Sequence, residues 1–298
     1  MKKITSISAF HSMLSLPSPL HPLVSVIRLE EANLVYSDIW QSFQREFYSI
    51  ALKRDARCKT RYGQKHYDFD KGIMSFTVPE QVQSLVPEQV ENAKGIVLLF
   101  HPDFLAKHPL ANAIRTYGFF HYAVDEALHL SEKEEADITL LLEKIHEESS
   151  RIDRHTQEII LSHIGLLLSY ARRFYERQFI TRHKVSQELL DRFRQLIVNH
   201  LEDGLLLEKG RLTVNYLAEQ LHLSPDYLSD MLRTHTGQNA QQHLQHMLME
   251  KARELLSSTS MTVAEIAYYL GFEYPQSFNK LFKSKTDLSP LQFRRSLN

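Results

Sequence analysis

The chain has almost no cysteine. Cys58 stands alone in 298 residues, which excludes an internal disulfide and a cysteine-based zinc site, and it reads as a packed strand side chain rather than a redox sensor. Surplus charge is missing as well. With 35 basic and 36 acidic side chains the formal net charge is -1, so no global field draws the chain to a polyanion or an anionic membrane. Any contact with nucleic acid must come from locally placed donors. Long apolar runs are absent too. Met1-Lys2-Lys3 begins like a signal peptide, but His11, Pro17, Pro19, His21 and Pro22 interrupt any apolar run behind it, and the run from Gly95 to Phe100 is strand-sized. A cytoplasmic location is expected. None of the 16 histidines shows the one-apart pairing of cupin metal sites: His101, His108 and His121 are scattered, and His243 and His246 read as surface histidines on a helix. No metal, cofactor or catalytic residue is expected.

What remains is patterned in two halves, and 43% hydrophobic content is enough to give each its own core. Leu23 to Leu29, Glu46 to Arg54, Gly72 to Val78 and Lys94 to Phe100 are short β-branched or aromatic runs between turn residues. In one of them Tyr48, Ile50 and Leu52 alternate with smaller side chains, as in a half-buried strand. A small barrel or sandwich to about residue 125 is predicted. Tyr48, Ile50, Leu52, Met74 and Phe76 would line either a ligand pocket or a closed core, and the closed core is the simpler expectation. From Ser131 the period becomes helical. A helix to about Glu148 starts with Ser131 and Glu134 as a capping box, and a longer one runs from about Asp153 to Phe179. The longer helix is apolar around much of its circumference, so one face can pack on its own domain and another can meet a second subunit. A homodimer through helix 153–179 is expected. The polar stretch Thr181-Arg182-His183-Lys184 reads as the interdomain linker, bounding a sensor and dimerisation domain at 1–180 and a helical domain at 187–298.

The helical domain contains one pattern twice, about 49 residues apart. Val214, Leu217, Ala218, Leu221, Leu223, Leu228 and Leu232 are matched by Val263, Ile266, Ala267, Leu270, Phe272, Phe278 and Phe282. Each copy keeps i, i+3, i+4, i+7 spacing, breaks at a turn and resumes, which predicts helix-turn-helix units at 213–236 and 262–286. Thr213, Thr262, Ser224-Pro225 and Ser289-Pro290 stand as caps, Gly237 as a stop, and Gly271 in a turn that wants a left-handed residue. Asn239 to Ser257 would form a spacer helix about 28 Å long at ~1.5 Å per residue. That suits two readers entering successive major grooves, about 34 Å apart.

Lys251-Ala252, Ile266-Ala267, Leu270-Gly271-Phe272, Phe278, Phe282-Lys283 and Ser289-Pro290 together resemble the signature of AraC/XylS-type transcriptional regulators. The resemblance covers about residues 187 to 297. It implies an α+β chain: an N-terminal strand-rich, cupin-like barrel with two long helices, then a C-terminal all-α tandem helix-turn-helix domain. It also implies double-stranded DNA and RNA polymerase as partners, with activation and a possible small-molecule effector.

On the first recognition helix Asp226, Ser229 and Arg233 face outward, with Asp230 placed to pair with Arg233 at i+3. On the second, the outward set is Tyr274, Gln276, Ser277, Asn279, Lys280 and Lys283; Gln276 and Asn279 suit adenine, Lys280 guanine, and Lys283 a phosphate. Residues 212 to 240 carry a net charge of -2, and residues 271 to 298 carry +3. The second unit is therefore expected to supply most of the affinity. The alternatives are a cupin-type metal-dependent enzyme fused to a helical DNA-binding module, a DNA-alkylation response protein, which would need several cysteines, and a helical adaptor.

Overall fold

The computed structural model describes residues 2–32, 38–54, 72–84, 94–202 and 212–297. Cys58 and its expected strand packing lie outside the described residues. The chain divides into two units, Met1–Gln178 and Phe179–Asn298.

In the first unit the alternating runs become strands β2 (Val24–Arg28), β4 (Tyr48–Arg54), β5 (Gly72–Thr77) and β6 (Lys94–Phe100), close to their expected bounds. With β7 (Leu128–Leu130) they form an antiparallel sheet in the order β2-β6-β4-β5-β7. β1 (Lys2–Ile4) pairs in parallel with β3 (Phe43–Arg45) as a separate ribbon. The expected barrel is not found: among the described residues the sheet is open, with β2 and β7 at its edges. Closure needs those edges to pair, and β7 is only three residues long. Between β6 and β7 the chain folds into short helical turns, including α2 (Leu110–Ala113), rather than into further strands.

The period of two gives the sheet two different faces. Ile50, Leu52, Met74, Leu98 and Phe100 are fully buried, along one face. Helix α3 (Glu132–Ser149) lies against β2, β6 and β7 and begins with the expected Ser131–Glu134 capping box. Ion pairs Arg28–Glu143 and Arg54–Glu135, both 2.6 Å, tie it to the strands, and Arg177 of α4 (Thr156–Thr181) bonds Glu134 at 2.7 Å. The other face, with Ala51, Val97 and Leu99, packs in a cluster with Ile7 and Phe10 of α1 (Ile7–Met13), Trp40 and Phe43. α1 was not foreseen, because its apolar residues fall in a stretch that reads as an interrupted leader.

In the second unit, α5 (His183–Glu202) starts within the stretch expected as a linker, leaving Arg182 as the break after α4. Then come α6 (Val214–Leu221), α7 (Pro225–Thr236), α8 (Ala240–Ser258), α9 (Val263–Tyr269), α10 (Pro275–Thr286) and α11 (Pro290–Ser296). Local chemistry sets these bounds. Thr213, Ser224, Asn239, Thr262 and Ser289 each accept a backbone N–H at a helix start, and Gly237 closes α7 in the left-handed region.

The two turns are solved unequally. Gly271 adopts φ 76° between α9 and α10, and His222, in the corresponding turn of the first copy, is held at φ 57°. A side chain pays a steric penalty there that glycine avoids. His222→Gly is expected to raise the urea midpoint of the second unit, a gain of about 1 kcal/mol; an unchanged or lower midpoint would refute the strain. In the first unit Gly95 sits at φ 135°, and a Cβ there would lie 2.0 Å from the Leu52 carbonyl oxygen of the paired strand. Gly95→Ala should therefore destabilise the unit by ~3 kcal/mol or more, read by urea denaturation.

Candidate nucleic-acid interface

The two helix pairs, α6–α7 and α9–α10, stand on either side of α8, whose 19 residues run one beyond the expected end. α8 buries Leu244, Leu248, Met249, Ala252 and Leu256. At its N-terminal end His243 departs from its expected surface role: it is buried, its Nε2 lies 2.7 Å from Thr236 Oγ1, and its ring meets Phe193 of α5 edge-on. At its other end the Leu256 carbonyl accepts a 3.0 Å hydrogen bond from Arg294 Nε, which ties α11 to the spacer. Tyr269 Oη donates to the Leu201 carbonyl at 2.9 Å, joining α9 to α5.

On α10, Phe278 and Phe282 are fully buried, and Phe278 packs against Phe272 while Phe282 packs against Phe293. Their burial fixes the rotation of the helix. Gln276, Ser277, Asn279, Lys280 and Lys283 are consequently all exposed, as is Tyr274 at 60%. Tyr274 holds the N-cap position without any side-chain cap bond and contributes a ring at the helix start, while its carbonyl accepts the Ser277 N–H at 3.0 Å. The helix ends at Asp287, in the left-handed region at φ 60°, a stop that lacks the glycine signal used to read such ends.

α7 presents a different surface. Asp226 is exposed in its first turn, Ser229 is half-buried, and Arg233 is exposed but bound to Asp230, Nη1 to Oδ1 at 2.6 Å. To take a phosphate or a base edge, Arg233 must leave that carboxylate. The buried side of α7 is wider than the repeat alone suggested. Tyr227 joins Leu228, Met231 and Leu232 inside, edge-on to Phe179 at 5.1 Å, and the Phe179 carbonyl accepts from His235 Nε2 at 3.1 Å. The signal was available, since Tyr227 precedes Met231 by four and continues its stripe. Nine DNA-facing positions were expected, and the structure groups six of them on the basic helix and three on the acidic one.

The model of a helix-turn-helix domain family matches residues 217–296. The C-terminal part is an AraC-type helix-turn-helix domain. Over 132 residues the chain is 29% identical to the HTH-type transcriptional regulator YijO of Escherichia coli, an alignment that covers 44% of each protein. It is 38% identical over 79 residues to the HTH-type transcriptional activator RhaS of Salmonella arizonae, covering 26% of this chain and 28% of that one. The chain thus spans under half the length of either relative. Among solved structures, the C-terminal domain of the response regulator AraT from Geobacillus stearothermophilus is 36% identical, covering 36% of this chain and 84% of that one with a TM-score of 0.32. The DNA-binding domain of AdpA in complex with a target DNA is 23% identical, covering 35% and 90% with a TM-score of 0.31.

Nothing in these likenesses supports the enzyme alternative. Among the described residues, no group of three or more His, Cys, Asp or Glu side chains could hold a metal ion, and no helix is long and apolar enough to cross a membrane.

The surroundings of His243 predict an acid sensitivity in the second unit. Burial pushes the His243 imidazole below its ordinary value of 6.5, and the nearby charges of Arg194 and His246 push it further the same way. A folded value below the unfolded one means the stability is complete above about pH 6.5 and is lost as pH falls through the folded value. Thermal melts of the full chain between pH 7 and pH 5 should show the second unit weakening, and His243→Gln should flatten that slope. A slope that survives the substitution would assign the sensitivity elsewhere.

Proposed function

We propose that the chain is a sequence-specific DNA-binding transcriptional regulator whose second helix-turn-helix unit supplies most of the affinity. One observation carries the asymmetry: α10 exposes Gln276, Asn279, Lys280 and Lys283 together, whereas the one cation of α7 facing outward, Arg233, is engaged by Asp230. Amide side chains at i and i+3 meet adenine edges, and the two lysines meet guanine or phosphate. α7 would then act as a selective reader, in which Ser229 and Asp226 discriminate more than they bind.

Activation, with RNA polymerase as partner, is the sign we assign, supported by the activator name of the RhaS relative. The first unit would serve as sensor and dimerisation domain. Ile159 and Leu166 stand exposed seven residues apart on α4, with Tyr170 half-buried four further on, which is the spacing of a helix seam between two subunits. Effector binding would act through unequal affinity for two arrangements of the chain.

Mobility shifts on a duplex selected from random sequences test the division of labour. Lys280→Ala with Lys283→Ala should weaken binding at least about tenfold and lower the salt slope by roughly two. Ser229→Ala with Arg233→Ala should leave affinity within about threefold while relaxing the selected sequence. The opposite ranking would overturn the assignment.

A further inference from the structure

A cavity of about 490 Å³ opens inside the first unit, on the face of the sheet opposite the one expected to line a pocket. Of the five residues named for that role, only Phe76 reaches it; Ser49, Ala51, Lys53, Ser75 and Thr77, which alternate with them on β4 and β5, form its floor. The volume is that of a small-molecule site. Its walls are mainly aromatic and aliphatic, with Trp40, Phe43 and Phe119 among them.

Two cations line the cavity, the half-buried Lys53 and the buried Arg45. Arg45 is 8% exposed, its guanidinium lies 5.4, 5.7 and 5.9 Å from the ring centres of Phe10, Phe43 and Phe47, and among the described residues no carboxylate pairs with it. Nη2 donates to Gln83 Oε1, and Gln83 is itself anchored by a 2.8 Å bond from Nε2 to Thr77 Oγ1. Among the described residues the buried Nε–H has no acceptor. Buried charges are ordinarily paired, so a buried cation held by one anchored amide and lining an apolar cavity is a half-built ion pair. The missing half is a planar acceptor, because a guanidinium edge binds a carboxylate through two parallel N–H bonds.

We propose that this cavity binds a small organic carboxylate, with its charged end on Arg45 and its apolar body against the aromatic wall. The Ser49, Ser75 and Thr77 hydroxyls offer further polar contacts along the floor. Burial pushes the Arg45 guanidinium down to about 10, which leaves it charged at neutral pH. The inference gives a ligand class to the sensing role proposed for the first unit and is independent of the DNA-binding assignment.

Calorimetric titration of the full chain with hexanoate, decanoate and phenylacetate, each against its neutral amide, tests it. At least one acid should bind about tenfold or more tighter than its amide, and the alkyl and aryl arms tell which apolar body the cavity takes. Arg45→Met, which keeps the volume and removes the charge, should abolish that preference; Gln83→Leu should reduce it even if Arg45→Met does not fold. Equal affinity for every acid and amide in the wild-type chain, or a preference that survives Arg45→Met, overturns the proposal. Mobility shifts on the same samples keep its failure distinct from failure of the regulator reading.

Discussion

Burial of Phe278 and Phe282 decides the orientation of α10, and with it which side chains the AraC-type domain presents. A helix has a single circumference to divide between core and solvent. Two fully buried rings four residues apart claim one stripe of it, Phe272 and Phe293 lock those rings from neighbouring elements, and the polar set from Gln276 to Lys283 is left outside. Removing either ring would leave a large cavity, at a cost of ~3–5 kcal/mol, and would free the helix to rotate. The geometry of the polar face is thus held by residues that touch nothing outside the protein. The same logic holds in α7, where Tyr227 packs edge-on to Phe179.

The first unit is organised by the strict two-residue period of its strands. One face of the sheet is apolar at its centre, with Ile50, Leu52, Met74, Leu98 and Phe100 fully buried and Arg28 and Arg54 at its margin. The other mixes Ala51, Val97 and Leu99 with Ser49, Ser75 and Thr77, and this mixed face borders the cavity and Arg45. Small side chains on β4 and β5 leave room that larger ones would have filled. The difference between a closed core and a hollow one is therefore written in the size of alternate residues.

How much of this could be read beforehand follows from how local each cause is. Caps at Ser131, Thr213, Ser224, Thr262 and Ser289, and the strand from Lys94 to Phe100, depend on neighbours within a few residues and were legible. The outward face of α10 was legible too, because two phenylalanines at i, i+4 define its inner side. The barrel was misjudged because closure depends on whether distant edges meet, which alternation within single strands does not encode. Arg45 went unnoticed because Gln44-Arg45-Glu46 looks like solvated polar sequence; its burial comes from α1, folded in a stretch that carries few helix signals. His243 was misplaced for the same kind of reason, since its inward turn depends on Phe193, fifty residues earlier in the chain.

The unequal charge of the two helix-turn-helix units bears on how the domain would meet a polyanion as well as on how it would hold one. A body with excess positive charge at one end and excess negative charge at the other carries a dipole, and a uniformly charged rod exerts a torque on it during diffusion. If α10 is the stronger reader, as proposed, most encounters would begin at its end, with the α7 end tilted away. Residence would start as a one-ended tether able to hop along the duplex, and the acidic half would be drawn down only where its own contacts outweighed the repulsion. Searching and committing would then be separate steps in time, divided between two halves of one repeat.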